Sequence, residues 1–378
     1  MKQYDYIFTG SGLSALMTVY EMIISEKFKD KTILLIDENP KNKNDRTWCF
    51  WDKESNYDHW VSAKWKAAWF KNEDFEKRLN LNPYLYKKVK GLDLYAFIFD
   101  CISKENNITF IQQKVVAYEE KVNYCTVTTE SDHYNCQFVL NSIYNPNDVI
   151  LQNQYPLLQQ HFIGWFIKSK EVVFHKDCAT FMDFSVAQKG NTRFMYVLPT
   201  SETEALIEYT LFSKDLLPKA EYELEIKNYI QKLGITEFEI IEKEKGTIPM
   251  TCYPFWKKNT KNIVNIGTAG GWTKASTGYT FKNTTKKAKK LTQFLAEKKD
   301  LRNFHNRTKF WFYDLLLLDI LDQHNFLGSS IFSALFKEGK PSLILKFLDE
   351  ETSIWEDIQV IWKCPKKHFI KALFFRIF

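Results

Sequence analysis

The chain has 378 residues, 26% of them charged, and a formal net charge of +6, a modest excess for that length. It carries no dense Lys/Arg stripe and no RNP-type aromatic motif, so nucleic acid is not an expected partner; its seven cysteines form no CxxC pair with matching His spacing, so neither a metal site nor a disulfide framework is expected and a reducing compartment fits. The longest apolar run, at Leu315 to Leu318, is broken by Asp314, Asp319 and Asp322 and falls far short of the ~18 residues that span a bilayer.

In chain order, a strand containing Asp5 is expected from about Tyr4, which leaves no room for a signal-peptide pattern. It leads into Gly10-Ser-Gly12-Leu-Ser-Ala15, then a helical segment, then the strand Thr32-Ile-Leu-Leu-Ile36 ended by Asp37 and Glu38. That order of strand, glycine turn, helix, strand and acid is the pattern of a dinucleotide site. Gly10 permits the tight turn and Gly12 the close approach of backbone N–H groups to a pyrophosphate; Ala15 stands in the third glycine's place. Asp37, with Glu38 as second choice, is the expected ribose acceptor.

Residues 39–46 have the composition of a polar loop, in which Arg46 is a candidate for phosphate or flavin contact. Thr47-Trp-Cys-Phe-Trp51 follows, fit either to cover a flat ring or to pack in the core. Trp65 and Trp69 stand four apart, as on one helical face, and residues 92–103 read as an amphipathic helix. Short strands are expected at 108–111, 115–118, 124–129 and 138–143. From about 155 to 243, strand-like runs joined by polar turns read as an inserted antiparallel sheet, closed by a helix over 220–233 that Gly234 ends. A second strand and glycine turn, Asn262-Ile-Val-Asn-Ile-Gly267-Thr-Ala-Gly270-Gly271, returns with Gly278 just beyond it. Two such loops suggest one extended cofactor lying across a single domain.

On the strand 204–212 alternation places Leu206, Glu208, Thr210 and Phe212 on one face. Glu208 there is a carboxyl group in apolar company, which raises its pKa as a proton donor near neutrality requires. Asp183, placed on the face of Phe181 and Ser185, is the candidate partner acid; Arg193 is an alternative salt-bridge partner for either. The last segment, 365–378, alternates Lys366, Lys367, Lys371 and Arg376 with Phe369, Ile370, Leu373, Phe374, Ile377 and Phe378. It reads either as a basic amphipathic helix for a membrane interface or as a helix docked on the core.

These residues resemble the bacterial-type lycopene β-cyclases. The resemblance rests on Tyr4-Asp-Tyr-Ile-Phe-Thr-Gly10-Ser-Gly12-Leu-Ser-Ala15, Leu35-Ile-Asp37, Asn44-Asp-Arg46-Thr-Trp-Cys-Phe-Trp51 and Met182-Asp183-Phe184. It continues through Arg193-Phe-Met-Tyr-Val-Leu-Pro199, Leu206-Ile-Glu208-Tyr-Thr210, Gly246-Thr-Ile-Pro-Met250 and Ile266-Gly267-Thr-Ala-Gly270-Gly271 to Ser276-Thr-Gly278-Tyr279, in the family's order over about residues 1–290. It implies an α/β fold like that of aromatic-ring flavin hydroxylases. A Rossmann-type FAD-binding domain (1–150 and 244–300) would carry an inserted substrate sheet (151–243), followed by a helical C-terminal region (301–378).

The implied reaction is an isomerisation of lycopene. An acid protonates the linear ψ end, the carbocation closes a ring, and a base removes a proton to leave a β-ionone ring, with FAD reduced and NADPH its electron source. Glu208 falls on the family's acid/base glutamate and Asp183 on its Met-Asp-Phe motif. The family's Glu-Asp-Thr reads Glu208-Tyr209-Thr210 here, so a second carboxyl is expected from elsewhere, with Asp183 the candidate. The implied location is cytoplasmic, at the inner face of the cell membrane. Two alternatives stand beside this reading: a flavin monooxygenase or halogenase of the same fold, and a non-enzymatic membrane-associated flavoprotein.

Overall fold

A computed structural model describes residues 2–297 and 299–377. The N-terminal part runs β1 (Lys2–Thr9), α1 (Leu13–Ile24), β2 (Ile33–Asp37), β3 (Thr47–Asp52), β4 (Val61–Trp65), β5 (Ala67–Lys71), β6 (Glu76–Asn80), β7 (Leu85–Lys90), α2 (Gly91–Ser103), β8 (Ile108–Gln112), β9 (Val115–Glu120), β10 (Cys125–Thr129) and β11 (His133–Asn141). The middle runs α3 (Asn147–Ile150), β12 (Leu158–Ser169), β13 (Cys178–Asp183), β14 (Thr192–Pro199), β15 (Glu204–Ser213), α4 (Lys219–Lys232), β16 (Phe238–Met250), β17 (Ile263–Asn265) and α5 (Phe281–Ala296). Helices α6 (Lys309–Gln323), α7 (Gly328–Glu338), α8 (Pro341–Leu348), α9 (Ile354–Ile361) and α10 (Lys366–Ile377) complete the chain.

The first sheet has the order β8-β2-β1-β11-β10-β9, with β17 against β11. Strands β8, β2, β1, β11 and β17 pair in parallel, as a doubly wound sheet requires. Ile7, Leu34 and Ile36 bury one face, while Phe8, Leu35 and Leu140 face a core shared with α1, α2 and α5. Full burial on both faces is why β2 is a continuous apolar run instead of an alternating one.

The second sheet has the order β16-β12-β15-β14-β13-β5-β6. One face packs on α4 through Trp165, Ile207, Tyr209 and Leu211; the other, with Leu206 and Phe212, meets the C-terminal helices. This sheet reaches past the sequence boundaries drawn for it. β5 and β6 come from inside the first segment, and β16 continues to Met250. Trp65 and Trp69, expected on one helical face, lie instead on β4 and β5. The buried Trp65 indole donates to the Pro199 carbonyl at 3.0 Å, so tertiary pairing overrides the four-residue spacing there.

Candidate active site

The nucleotide end is built by two glycine turns that meet. Gly10 leaves β1 at φ +88°, and a Cβ there would stand 2.4 Å from the Ser142 Oγ. Gly12 precedes α1 with no side chain capping the helix, and nothing lies within 4 Å of the position its Cβ would take. Gly12, Leu13 and Ser14 line the cavity, so the start of α1 borders open space, where the helix dipole favours an anion. The distant loop arrives at the same helix end, since a Cβ on Gly267, at φ +60°, would lie 2.4 Å from the Ser14 Oγ. Gly270 passes so close to the Asn265 carbonyl that no side chain fits, and Gly271 turns the chain at φ +66°. Ala15 is fully buried beneath this turn.

Asp37 accepts hydrogen bonds at Oδ2 from the Ser11 N–H at 2.6 Å and the Ser11 hydroxyl at 2.9 Å, with the Lys41 ammonium 3.4 Å away. It ties the end of β2 to the β1–α1 turn. Glu38 is exposed and is not among the residues that line the cavity. Arg46 lines the cavity, its guanidinium donating to the Asp45 carbonyl at 2.7 Å. An uncapped helix end, two glycine turns converging on it and an open space in front fit a dinucleotide.

A cavity of about 730 Å³ runs from this cradle to the second sheet and on to the C-terminal helices. Gly12, Gly267 and Thr268 stand at one end; Trp51, Phe181, Tyr196 and Tyr279 line the middle; Phe332, Leu335, Leu345 and Leu348 from α7 and α8 close the other. The Tyr86 hydroxyl bonds to those of Tyr196 and Tyr279, at 2.5 and 3.1 Å, fixing two of these rings. Gly278 also lines the wall, where a Cβ would lie 2.2 Å from the Gln160 Oε1.

Glu208 lies on the cavity face of β15 and is 7% exposed. Burial, then the neighbouring Glu244 carboxylate, push its pKa well above the ordinary value, although the Thr210 hydroxyl donates to its Oε1. The Glu208 carboxyl therefore holds its proton more tightly than an ordinary glutamate, and it shares the cavity wall with aromatic rings.

The structure does not bring Asp183 to Glu208. A β-bulge between Thr180 and Asp183 inserts one residue into β13, so alternation counted from Phe181 fails. Phe181 lines the cavity, whereas Asp183 faces α4, accepting from the Tyr229 hydroxyl at 2.8 Å and from the Ser185 hydroxyl and N–H. Arg193 pairs with neither acid; it binds Glu221 at 3.0 Å and Tyr209 at 3.3 Å. The carboxyl beside Glu208 is Glu244 on β16, which also lines the cavity. Glu244 lies one residue beyond the boundary at 243 that the sequence pattern suggests for the inserted sheet. The available signal was alternation, with Glu242, Glu244, Gly246 and Ile248 half-buried and Lys243, Lys245 and Thr247 exposed.

The lycopene cyclase family model matches residues 5–373. The chain belongs to the lycopene cyclase family. A lycopene β-cyclase of Paracoccus sp. (strain N81106 / MBIC 01143) is 32% identical over 108 residues, which span 26% of this lycopene cyclase family chain and 26% of that relative. Among solved structures, the fold is similar to a geranylgeranyl bacteriochlorophyll reductase-like protein of Thermoplasma acidophilum, with a TM-score of 0.63, 12% identity and 98% of each chain covered. It is also similar to p-nitrophenol 4-monooxygenase of Pseudomonas putida DLL-E4, with a TM-score of 0.62, 10% identity and 100% of this chain and 98% of that one covered. A third is a Klebsiella pneumoniae HpxO variant complexed with FAD, with a TM-score of 0.60, 12% identity and 96% and 100% covered. The fold is thus the α/β flavoprotein fold of aromatic hydroxylases, with a second sheet whose inserted strands β12 to β16 pair antiparallel while β13 meets β5 in parallel, and helices at the C-terminal end.

Proposed function

We propose that this chain is a lycopene β-cyclase, forming β-ionone rings at the linear ψ ends of lycopene or a related carotenoid. The observation that carries this reading is Glu208, a buried carboxyl with a raised pKa inside an aromatic cavity continuous with the dinucleotide cradle. An apolar polyene needs an apolar channel, and protonating its terminal double bond needs an acid that keeps its proton at neutral pH. Glu208 donates that proton; the resulting carbocation is attacked by the neighbouring double bond to close a six-membered ring; a carboxylate then takes a ring proton, and no electrons are gained or lost. Tyr196, Tyr279, Phe181 and Trp51 line the space in which the cation develops, where aromatic rings stabilise positive charge and exclude water that would trap it.

FAD is the cofactor this cradle suits, held by the N–H groups at the start of α1, the Gly267–Thr268 turn and Arg46. When bound and reduced, with NADPH as electron source, it supplies an electron-rich ring that stabilises nearby positive charge. The same reading places the protein at the inner face of the cell membrane. Helices α9 and α10 and the turn between them expose Trp355, Trp362, Phe375 and Ile377, 59–78% accessible, among Lys363, Lys366, Lys367 and Lys371, a composition suited to an anionic lipid surface.

Expression in lycopene-accumulating bacteria tests the proposal, with carotenoids separated by chromatography. Conversion of lycopene to γ- and β-carotene is expected. NADPH-dependent oxygen uptake with a hydroxylated product would instead make it a monooxygenase.

A further inference from the structure

Three residues stand in one row across the second sheet. Gly164 on the central strand β12 is paired with Glu208 of β15 on one side and with Glu244 of β16 on the other. Paired residues project from the same face, so both carboxyl stems rise beside a position that has no side chain. The spacing shows how they use that gap. A Cβ on Gly164 would lie 3.4 Å from the Glu208 Cβ, 3.3 Å from the Glu244 Cγ and 2.8 Å from the Leu206 Cδ1. Glycine costs stability inside a strand, and here it leaves room for two acids to lean together.

We propose that Glu208 and Glu244 share a single proton across Gly164, with Glu244 the positioning residue that holds the proton on Glu208. This rests on the cyclase reading for its chemistry, though not for its geometry. The surroundings of the two acids are unequal. Burial raises the pKa of Glu244 as well, but the Thr47 hydroxyl donates to it at 2.8 Å, and Lys88 and Arg46 favour its anion while Glu242 opposes it. Around Glu208 stand the Thr210 hydroxyl, the Tyr279 phenol, the Tyr196 ring on the paired strand and Glu244 itself. The negative charge of the pair therefore rests on Glu244, and two carboxylates this close cannot both ionise readily.

The step balances. At rest the pair carries one proton and one negative charge. When Glu208 gives its proton to the terminal double bond, both acids become carboxylates facing one carbocation. That doubled charge favours return of a proton: a C–H bond of the closed ring breaks, its electron pair forms the ring double bond, and the proton restores the pair. Donor and acceptor are thus one unit.

The test is made on flavin-loaded protein by infrared difference spectroscopy across neutral to alkaline pH, beside the pH profile of lycopene cyclisation. In the wild type a protonated-carboxyl C=O band should persist above neutral pH and vanish in Glu208→Gln. In Glu244→Gln that band should titrate at least ~1 pH unit lower, because the neighbouring negative charge is gone. The alkaline limb of the cyclisation rate should move down by the same amount. Gly164→Ala should move both in the same direction. A band and a limb left in place by Glu244→Gln would overturn the shared proton while leaving the cyclase reading intact. If the wild type forms no cyclic product yet the band shifts as stated, the cyclase reading fails and the shared proton stands. Should Glu244→Gln not fold, wild-type protein without a protonated-carboxyl band at neutral pH overturns the proposal.

Discussion

The Tyr229 hydroxyl donates to the Asp183 carboxylate at 2.8 Å, on the face of the second sheet that packs against α4 and away from the cavity. Asp183→Asn should therefore cost stability, about 1–3 kcal/mol from weakened bonds to Tyr229 and Ser185, and leave the cyclisation rate of folded protein nearly unchanged. Urea unfolding beside single-turnover product formation measures both. Loss of cyclisation at undiminished stability would return Asp183 to the chemistry.

Glu208→Gln should keep the flavin and lower cyclisation by ~10²–10⁴-fold, the usual contribution of a positioned general acid. The same variant should be more stable than the wild type at alkaline pH. The folded pKa of Glu208 is raised, so above its ordinary value of 4.5 the unfolded chain releases a proton that the folded chain retains. Wild-type stability then falls as pH rises from 4.5 toward the folded pKa, a loss that glutamine escapes. Thermal unfolding across pH should show the two proteins converging below pH 4.5 and the variant leading above it.

Gly10→Ala combines a left-handed φ of +88° with a Cβ placed 2.4 Å from the Ser142 Oγ. The conformational part alone costs about 1–2 kcal/mol. The variant should unfold at lower urea and purify with less flavin per chain, read from the visible absorbance. Full flavin content and an unchanged midpoint would show that the turn tolerates a side chain.

Helix α10 does two things at once. Arg376 forks onto Asp319 of α6, with Nε 2.7 Å and Nη2 2.5 Å from its oxygens, while Ile370, Phe375 and Ile377 remain exposed. Phe378, counted on the apolar face in the sequence, lies outside the described residues. Trp355→Asp combined with Trp362→Asp should weaken sedimentation with anionic vesicles, and added salt should weaken wild-type binding. Equal sedimentation of both proteins at all salt concentrations would exclude this face as the contact.

Features that depend on neighbours along the chain are legible in the amino-acid order. The turn Gly10–Gly12, the apolar run into Asp37 and the alternation that buries Glu208 are each local patterns, and the structure places all three as local rules require. The tertiary structure alone decided which acids meet. One inserted residue in β13 turned Asp183 to the opposite face, because a strand's side chains alternate and a bulge inverts the count. Glu244 reached Glu208 from 36 residues away because β12 lies between β15 and β16 and offers Gly164 at the row they share. Strand order and register arise from contacts between distant segments, and no window along the chain contains them.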